Sequence, residues 1–144
     1  MRLSLFTDYA LRTLLYLASH ARRATVREVA DFYGISADHV AKAVNLLARL
    51  GYLRSVRGIG GGIELGRAPE TIRLGELIVA LEGNMHLLEC VGCSGVCAIE
   101  SFCKLKGVLA RAEQVQREYL DSVTLRDLTP AVADMTRRPL PVTE

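Results

Sequence analysis

This chain of 144 residues has no tryptophan, which excludes nothing by itself, and no long unbroken apolar run, which excludes more. Residues 5–18 are apolar but interrupted by Asp8 and Arg12, so they read as neither a secretory signal nor a membrane span. A cytoplasmic protein with no membrane partner is expected. No internal repeat is present, so a solenoid is not expected. No nucleophile comes with a base and an orienting third group; Ser94 and His86 lack that partner, and no enzyme is expected. Cysteine is missing from the whole chain except one segment: Cys90-Val91-Gly92-Cys93-Ser94-Gly95-Val96-Cys97, then Cys103. A core that merely needed small apolar residues would scatter its cysteines among several elements.

What is present begins with enough material for a core. The composition is 50% hydrophobic, which excludes a disordered chain and suits one compact domain or a small domain with an oligomerising arm. The net charge of +2 conceals a division. Residues 1–60 carry nine Lys/Arg against four acids, whereas residues 61–144 carry nine against twelve. A basic head on a mildly acidic body fits nucleic-acid binding by the first half only.

The local patterns sharpen that reading. Thr7 is placed to cap a helix, with Asp8 in its first turn and Ala10, Leu11, Leu14, Leu15 and Ala18 at helical spacing. Thr25 and Glu28 form a capping box that opens a second helix through Val29, Ala30 and Phe32, ended by Gly34. Ser36 caps the next helix, which runs through Val40, Val44 and Leu47 to Gly51. A short helix, a glycine turn and a longer helix have the spacing of a helix-turn-helix. Residues 52–56 then read as a strand, Arg57-Gly58-Ile59-Gly60-Gly61-Gly62 as a tight turn, and Ile63-Glu64-Leu65 as the return strand: a wing. No helix opens after the glycines, so they are not a dinucleotide fingerprint. A short helix spans Gly75 to Leu81, and a long one runs from Ser101 to about Asp121. Along the long helix Leu105, Val108, Ala112, Val115 and Tyr119 step by three and four, the seam of a coiled coil, and a symmetric dimer would cover it. Thr124 caps a last short turn, and the tail beyond Pro130 reads as disordered.

In a cytosolic chain, four clustered cysteines favour metal or redox chemistry over structural disulfides. Structural zinc favours two close pairs separated by a longer span. Cys90 and Cys93 would make one such pair, but Cys97 and Cys103 stand too far apart for the other. Uneven thiolate spacing suits an iron–sulphur cluster better; zinc and simple redox chemistry remain the alternatives.

At this point the residues resemble a known family. Met1-Arg2-Leu3-Ser4-Leu5-Phe6-Thr7-Asp8-Tyr9-Ala10-Leu11-Arg12 closely resembles the start of the NsrR-type nitric-oxide-sensing repressors, members of the winged-helix regulators that also include IscR. Ser36-x2-His39-Val40-x-Lys42 resembles their recognition helix, Arg57-Gly58-Ile59-Gly60-Gly61-Gly62 their wing, and Cys97-x5-Cys103-Lys104-Leu105 the end of their cluster loop. The resemblance implies a [4Fe–4S] cluster, with [2Fe–2S] as the alternative, held by three cysteines and, in some members, an aspartate from the partner subunit. Asp8 stands at the aspartate's position, and Cys97 and Cys103 match two of the thiolates. The first thiolate is Cys90 or Cys93; Leu88-Glu89-Cys90 resembles the start of the family's loop and favours Cys90. Two departures stand out. Ile59 occupies the wing position that usually carries arginine, leaving Arg54 or Arg57 to serve. Lys106 occupies the position of a histidine in IscR-like members, which argues against a three-cysteine, one-histidine [2Fe–2S] site; His86 is the only substitute nearby.

The expected protein is mainly α with a small β-hairpin: a winged helix-turn-helix domain over residues 1–66, a linker helix and cysteine loop over 67–100, a dimerisation helix with a terminal turn over 101–128, and a disordered tail over 129–144. Ser36, His39, Lys42 and Asn45 are the candidate DNA contacts on the recognition helix, with Lys42 a phosphate contact or a guanine reader. A homodimer would bind a double-stranded operator whose half-sites lie about 34 Å apart. The resemblance implies a repressor released by nitric oxide. An iron–sulphur or redox-status regulator of the IscR type, or a small zinc or iron–sulphur redox protein without a DNA-binding role, is the alternative.

Overall fold

The first helix starts earlier than its sequence suggests. In a computed structural model that describes residues 2–135, α1 runs Leu5–His20 and its cap is Ser4, not Thr7. Ser4 Oγ accepts from the Thr7 N–H at 3.2 Å, while the Ser4 N–H and Oγ–H both donate to Glu82 Oε1 at 2.8 Å. The distant carboxylate fixes Ser4, and Thr7 becomes a buried residue of the first turn. Next, α2 (Val26–Tyr33) forms the full Thr25/Glu28 capping box and stops at Gly34 in the left-handed conformation. Ser36 occupies the cap position of α3 (Ala37–Arg49) but makes no capping bond with its side chain.

The three helices pack through Ala10, Leu14, Leu17, Val29, Val40, Ala43, Val44 and Leu47, all buried. Strands β1 (Leu53–Val56) and β2 (Gly62–Leu65) pair antiparallel, with Leu53 opposite Leu65 and Arg54 opposite Glu64. Ala24, between α1 and α2, exchanges both backbone hydrogen bonds with Ile63, at 3.0 and 2.7 Å. That bridge attaches the wing to the helical head.

The second half folds back on the first. A single 3-10 turn at Pro69–Thr71 leads into α4 (Leu74–Glu82). The cysteine segment contains a one-turn helix, α5 (Glu89–Gly92), and a 3-10 turn at Glu100–Phe102. Cys103 is extended, so the long helix α6 begins at Lys104 instead of Ser101 and runs to Ser122. The last helix, α7 (Leu125–Leu128), has its own capping box from Thr124 and Asp127. Leu74 N–H donates to Val123 O at 2.9 Å and Leu125 N–H to Ile72 O at 2.8 Å, joining the start of α4 to the end of α6. Ile72, Leu77 and Leu125 thereby enter the same core as α1. Of the tail expected to be disordered, residues 136–144 lie outside the described residues. Before them, Ser19 Oγ–H donates to Pro130 O at 2.6 Å and Met135 packs on the core.

Helix α6 has two unlike faces. Lys106, Leu109, Glu113, Gln116 and Leu120 are half-buried toward the rest of the chain. Leu105, Val108, Ala112, Val115 and Tyr119, the seam read from the sequence, are all exposed.

Candidate nucleic-acid interface and metal centre

Burial of Val40, Ala43, Val44 and Leu47 turns the opposite side of α3 to solvent. Ser36, His39, Lys42 and Asn45 are all exposed there. Asp38 is exposed on the same helix and was not among the candidates. His39 is not isolated: its ring stacks on Tyr9 of α1, with centroids 5.7 Å apart and planes 18° from parallel. Leu5, Phe6, Tyr9, His39 and Lys42 line a shallow cavity at this junction. The first turns of α1 therefore touch the exposed face of α3.

The wing is braced by one carboxylate. Arg54 Nε and Nη2 donate to Glu64 Oε1 at 2.9 and 2.5 Å, and Arg23 Nε and Nη2 donate to Glu64 Oε2 at 3.1 and 2.9 Å. Arg54 first, then Arg23, hold the Glu64 carboxyl below its ordinary pKa. Arg23 Nη1 also donates to Gly60 O at the wing tip, at 3.1 Å. Arg54 is thus engaged within its own chain, whereas Arg57 is exposed and forms no ion pair among the described residues. Arg23 was missed in the sequence because 41 residues separate it from Glu64.

The cysteine loop rests on α6. Cys90 and Cys103 are half-buried, Cys93 and Cys97 exposed, and all four are free thiols. Glu100 gathers the loop: it accepts from the Gly95 N–H and from Lys106 Nζ, each at 2.5 Å, and Lys106 also reaches Cys93 O at 3.4 Å. The Lys106 pKa is raised, mainly by its hydrogen bond to Glu100, with smaller contributions from the nearby Cys90 and Cys103. At the other end Glu113 accepts from His86 Nδ1 at 3.0 Å and from the Leu87 N–H at 2.5 Å. The His86 ring lies against Gly92, where a Cβ would come within 2.5 Å of it. His86 is therefore already engaged with Glu113.

Asp8 lies apart from this loop in its own chain. It sits on α1, half-exposed, and its Oδ1 accepts from Arg12 Nε at 2.9 Å. Among the described residues, no three His, Cys, Asp or Glu side chains stand together as a coordinating group. The donor chemistry nevertheless fits iron–sulphur ligation. Soft thiolates are the ligands such clusters use, and every thiol of the chain lies in one segment beside a lysine cation.

The family of iron-dependent transcriptional regulators named Rrf2 matches residues 3–131. This chain belongs to the Rrf2 family. It is 40% identical over 131 residues to the HTH-type transcriptional regulator NsrR of Bacillus licheniformis, covering 89% of this chain and 92% of that protein. Solved structures agree. CymR, the global cysteine regulator of B. subtilis, superposes with a TM-score of 0.75 at 26% identity, covering 90% of this chain and 96% of that one. IscR of T. potens gives 0.71 at 25% identity, covering 94% and 89%. Membership of the Rrf2 family makes this chain a DNA-binding transcription regulator, not an enzyme. No helix among the described residues is long and apolar enough to cross a membrane.

Proposed function

We propose that this Rrf2 protein is a cytoplasmic, homodimeric repressor whose operator binding is set by a [4Fe–4S] cluster that senses nitric oxide. Cys90, Cys97 and Cys103 would hold the cluster with the partner subunit's Asp8, and Cys93 would stay free. The carrying observation is the confinement of all four thiols to a loop braced by Lys106 and Glu100, in a chain 40% identical to an NsrR.

A second feature supports the shared site. Val96, Ile99 and Phe102 of the loop are exposed and continue into the exposed seam of α6. Leu3 and Leu5, just before Asp8, are exposed as well. A two-fold dimer would cover both surfaces, bringing the start of α1 to the partner's loop. When bound, the cluster supplies iron that reacts with nitric oxide. The chain's residues supply the coupling. Asp8 has two possible attachments, the partner's site and its own Arg12, 2.9 Å away. Transfer from one to the other would move the first turn of α1. Tyr9, the next residue, would pass that movement to His39 and hence to the recognition face. Ser36, Lys42, Asn45 and Arg57 are the further DNA contacts in this reading, while Arg54 braces the wing through Glu64.

Anaerobic reconstitution tests the assignment. Broad visible absorption should be lost in Cys90→Ala, Cys97→Ala and Cys103→Ala and kept in Cys93→Ala. Asp8→Ala should keep the dimer, alter the spectrum and narrow the holo–apo difference in DNA binding. A colourless protein with stoichiometric zinc would sink the iron–sulphur reading. Loss of colour in the Cys93 variant instead of the Cys90 variant would reverse the choice of first ligand.

A further inference from the structure

Most large apolar side chains left exposed stand near others of their kind: Val96, Ile99 and Phe102 with the α6 seam, Leu3 with Leu5, and Leu128 with Val132. Ile59 stands alone. It sits at the tip of the wing with a relative exposure of 110%, so its side chain projects fully into solvent. A lone exposed apolar residue is usually unremarkable. This one is displayed by the backbone around it. Gly58 and Gly60 on either side have φ of +96° and +73°. A Cβ on Gly61 would press on Val56 O and come within 2.8 Å of Gly58 O. Between Arg57 and Ile63, Ile59 is the only side chain: the left-handed backbone disfavours one at Gly58 and Gly60, and close backbone leaves no room for one at Gly61 and Gly62.

The tip is also held from behind. Arg23 clasps Gly60 O and Glu64, and a Cβ at Gly62 would lie 2.5 Å from Ala24 O, so the hairpin is seated directly on the head. The nearby charges are already divided. Arg23 and Arg54 converge on Glu64, and Arg57 alone is left to meet a phosphate. A braced prong that ends in isoleucine has no hydrogen bond to offer a base edge. It has a compact apolar tip to lay against deoxyribose walls and the groove floor.

We propose that Ile59 is the wing's minor-groove contact, an apolar prong that selects flanking DNA by groove shape and excludes the guanine N2 amino group. Arginine in a groove is drawn by negative potential, which is strongest where the groove is narrow. Isoleucine lacks that attraction and gains by leaving water, as apolar side chains do in other minor-groove proteins. A guanine amino group would stand in its path and be covered without a hydrogen-bond partner. The inference rests on the winged helix meeting DNA. It goes further by assigning flank specificity to one uncharged residue.

The test uses a duplex selected by the wild-type dimer from a random pool, with anisotropy titrations over a range of salt. Ile59→Ala should weaken binding about tenfold, as for three carbons half withdrawn from water, at every salt concentration. Its log–log salt slope should equal that of wild type, because no charge is removed. Ile59→Arg should retain affinity and steepen the slope by about one unit. Changing flank A·T pairs of that duplex to G·C should weaken wild type, and inosine·C at the same positions, which lacks only the N2 amino group, should restore it, whereas Ile59→Ala should show neither effect. An Ile59→Ala protein within twofold of wild type, or one with a shallower slope, would overturn the proposal. So would equal inosine effects in both proteins. Failure of the wild type to select any duplex would instead count against DNA binding itself, and Lys42→Ala, altered on the recognition helix, is the control for that step.

Discussion

Replacing Gly75 by alanine pits helix propensity against packing, and the structure indicates which wins. Gly75 lies on the buried face of α4, against the end of α6. Gly75 is the second residue of α4, so alanine gains there at most the roughly 0.5–1 kcal/mol by which it is favoured over glycine in a helix interior. Its Cβ, however, would press on Asp121 Oδ1 and lie 2.9 Å from Asp121 Cγ and 3.0 Å from the Asp121 backbone nitrogen. Asp121 cannot easily withdraw. Arg73 Nη1 donates to its carbonyl at 2.7 Å, and Arg117 Nε stands 3.5 Å from its Oδ2. Forcing a methyl group into such a site costs roughly 1–3 kcal/mol. Gly75→Ala should therefore destabilise by about 0–2.5 kcal/mol net, the packing cost less the propensity gain. Urea unfolding at one fixed protein concentration would measure it, since a dimer's stability depends on concentration. Asp121 Oδ1 is buried without a hydrogen-bond partner among the described residues, so Asp121→Ala removes the obstruction at the cost of the part-exposed Arg117 ion pair alone. The double variant should recover part of the loss, but not all, because the backbone contact remains. A Gly75→Ala protein more stable than wild type would refute the reasoning. It would mean that α4 and the end of α6 part easily.

Val108→Asp should break the dimer. Each protomer would forfeit roughly 1.5–3 kcal/mol of apolar burial, doubled by two-fold symmetry, so the dissociation constant should rise at least a hundredfold; sedimentation equilibrium would show it, and an unaltered dimer would move the interface elsewhere. Tyr9→Ala should leave the visible spectrum intact but narrow the holo–apo difference in DNA affinity by up to about tenfold, the worth of an aromatic pair. Lys42→Ala should weaken binding and, if it meets only a phosphate, make the log–log salt slope shallower by about one unit on all sequences. The Glu64 carboxyl has a lowered pKa in the folded chain, so the wing brace should be at full strength above its ordinary value of 4.5 and be lost as pH falls through the depressed one. Carboxyl NMR titration with hydrogen exchange of wing amides would check that the two change together.

Much of this was legible because it is local. The Thr25/Glu28 box, the stop at Gly34, the two strands of the wing and the Leu105–Tyr119 seam are all written within a few residues of where they act. The misplaced features share a different cause. Ser4 displaces Thr7 as the cap because Glu82, 78 residues away, accepts from it. The start of α6 shifts to Lys104 because the preceding cysteine segment takes a 3-10 turn and then an extended step at Cys103. Arg23 with Glu64 and His86 with Glu113 leave no trace in periodicity or spacing, since each joins segments brought together only by the tertiary fold. Of the candidate site, the residue types were readable and their engagements were not. Nothing local distinguishes Arg54, clasped by a carboxylate, from Arg57, which forms no ion pair among the described residues.

Those engagements also bear on how a signal could reach DNA. Two routes lead from the cysteine loop to the recognition helix, and both arrive at the first turn of α1. One stays within the chain: α4, which precedes the loop, ends in Glu82, and Glu82 grips Ser4. Its carboxyl is held below its ordinary pKa by Thr7 first and then by Ser4, so it is an ionised anchor at neutral pH. The other would cross the proposed dimer through Asp8. The intrachain grip ties the helix start to α4 of the same subunit and favours a fixed position. The proposed ligation by the partner's site would draw the same turn toward the other subunit. A movable element needs both: an anchor that defines a resting position, and a second attachment that is present in only one state. Asp8 lies one turn beyond the Ser4 anchor and one residue before Tyr9. Displacement at Asp8 would therefore be applied at the point where α1 touches His39, with little intervening structure to absorb it.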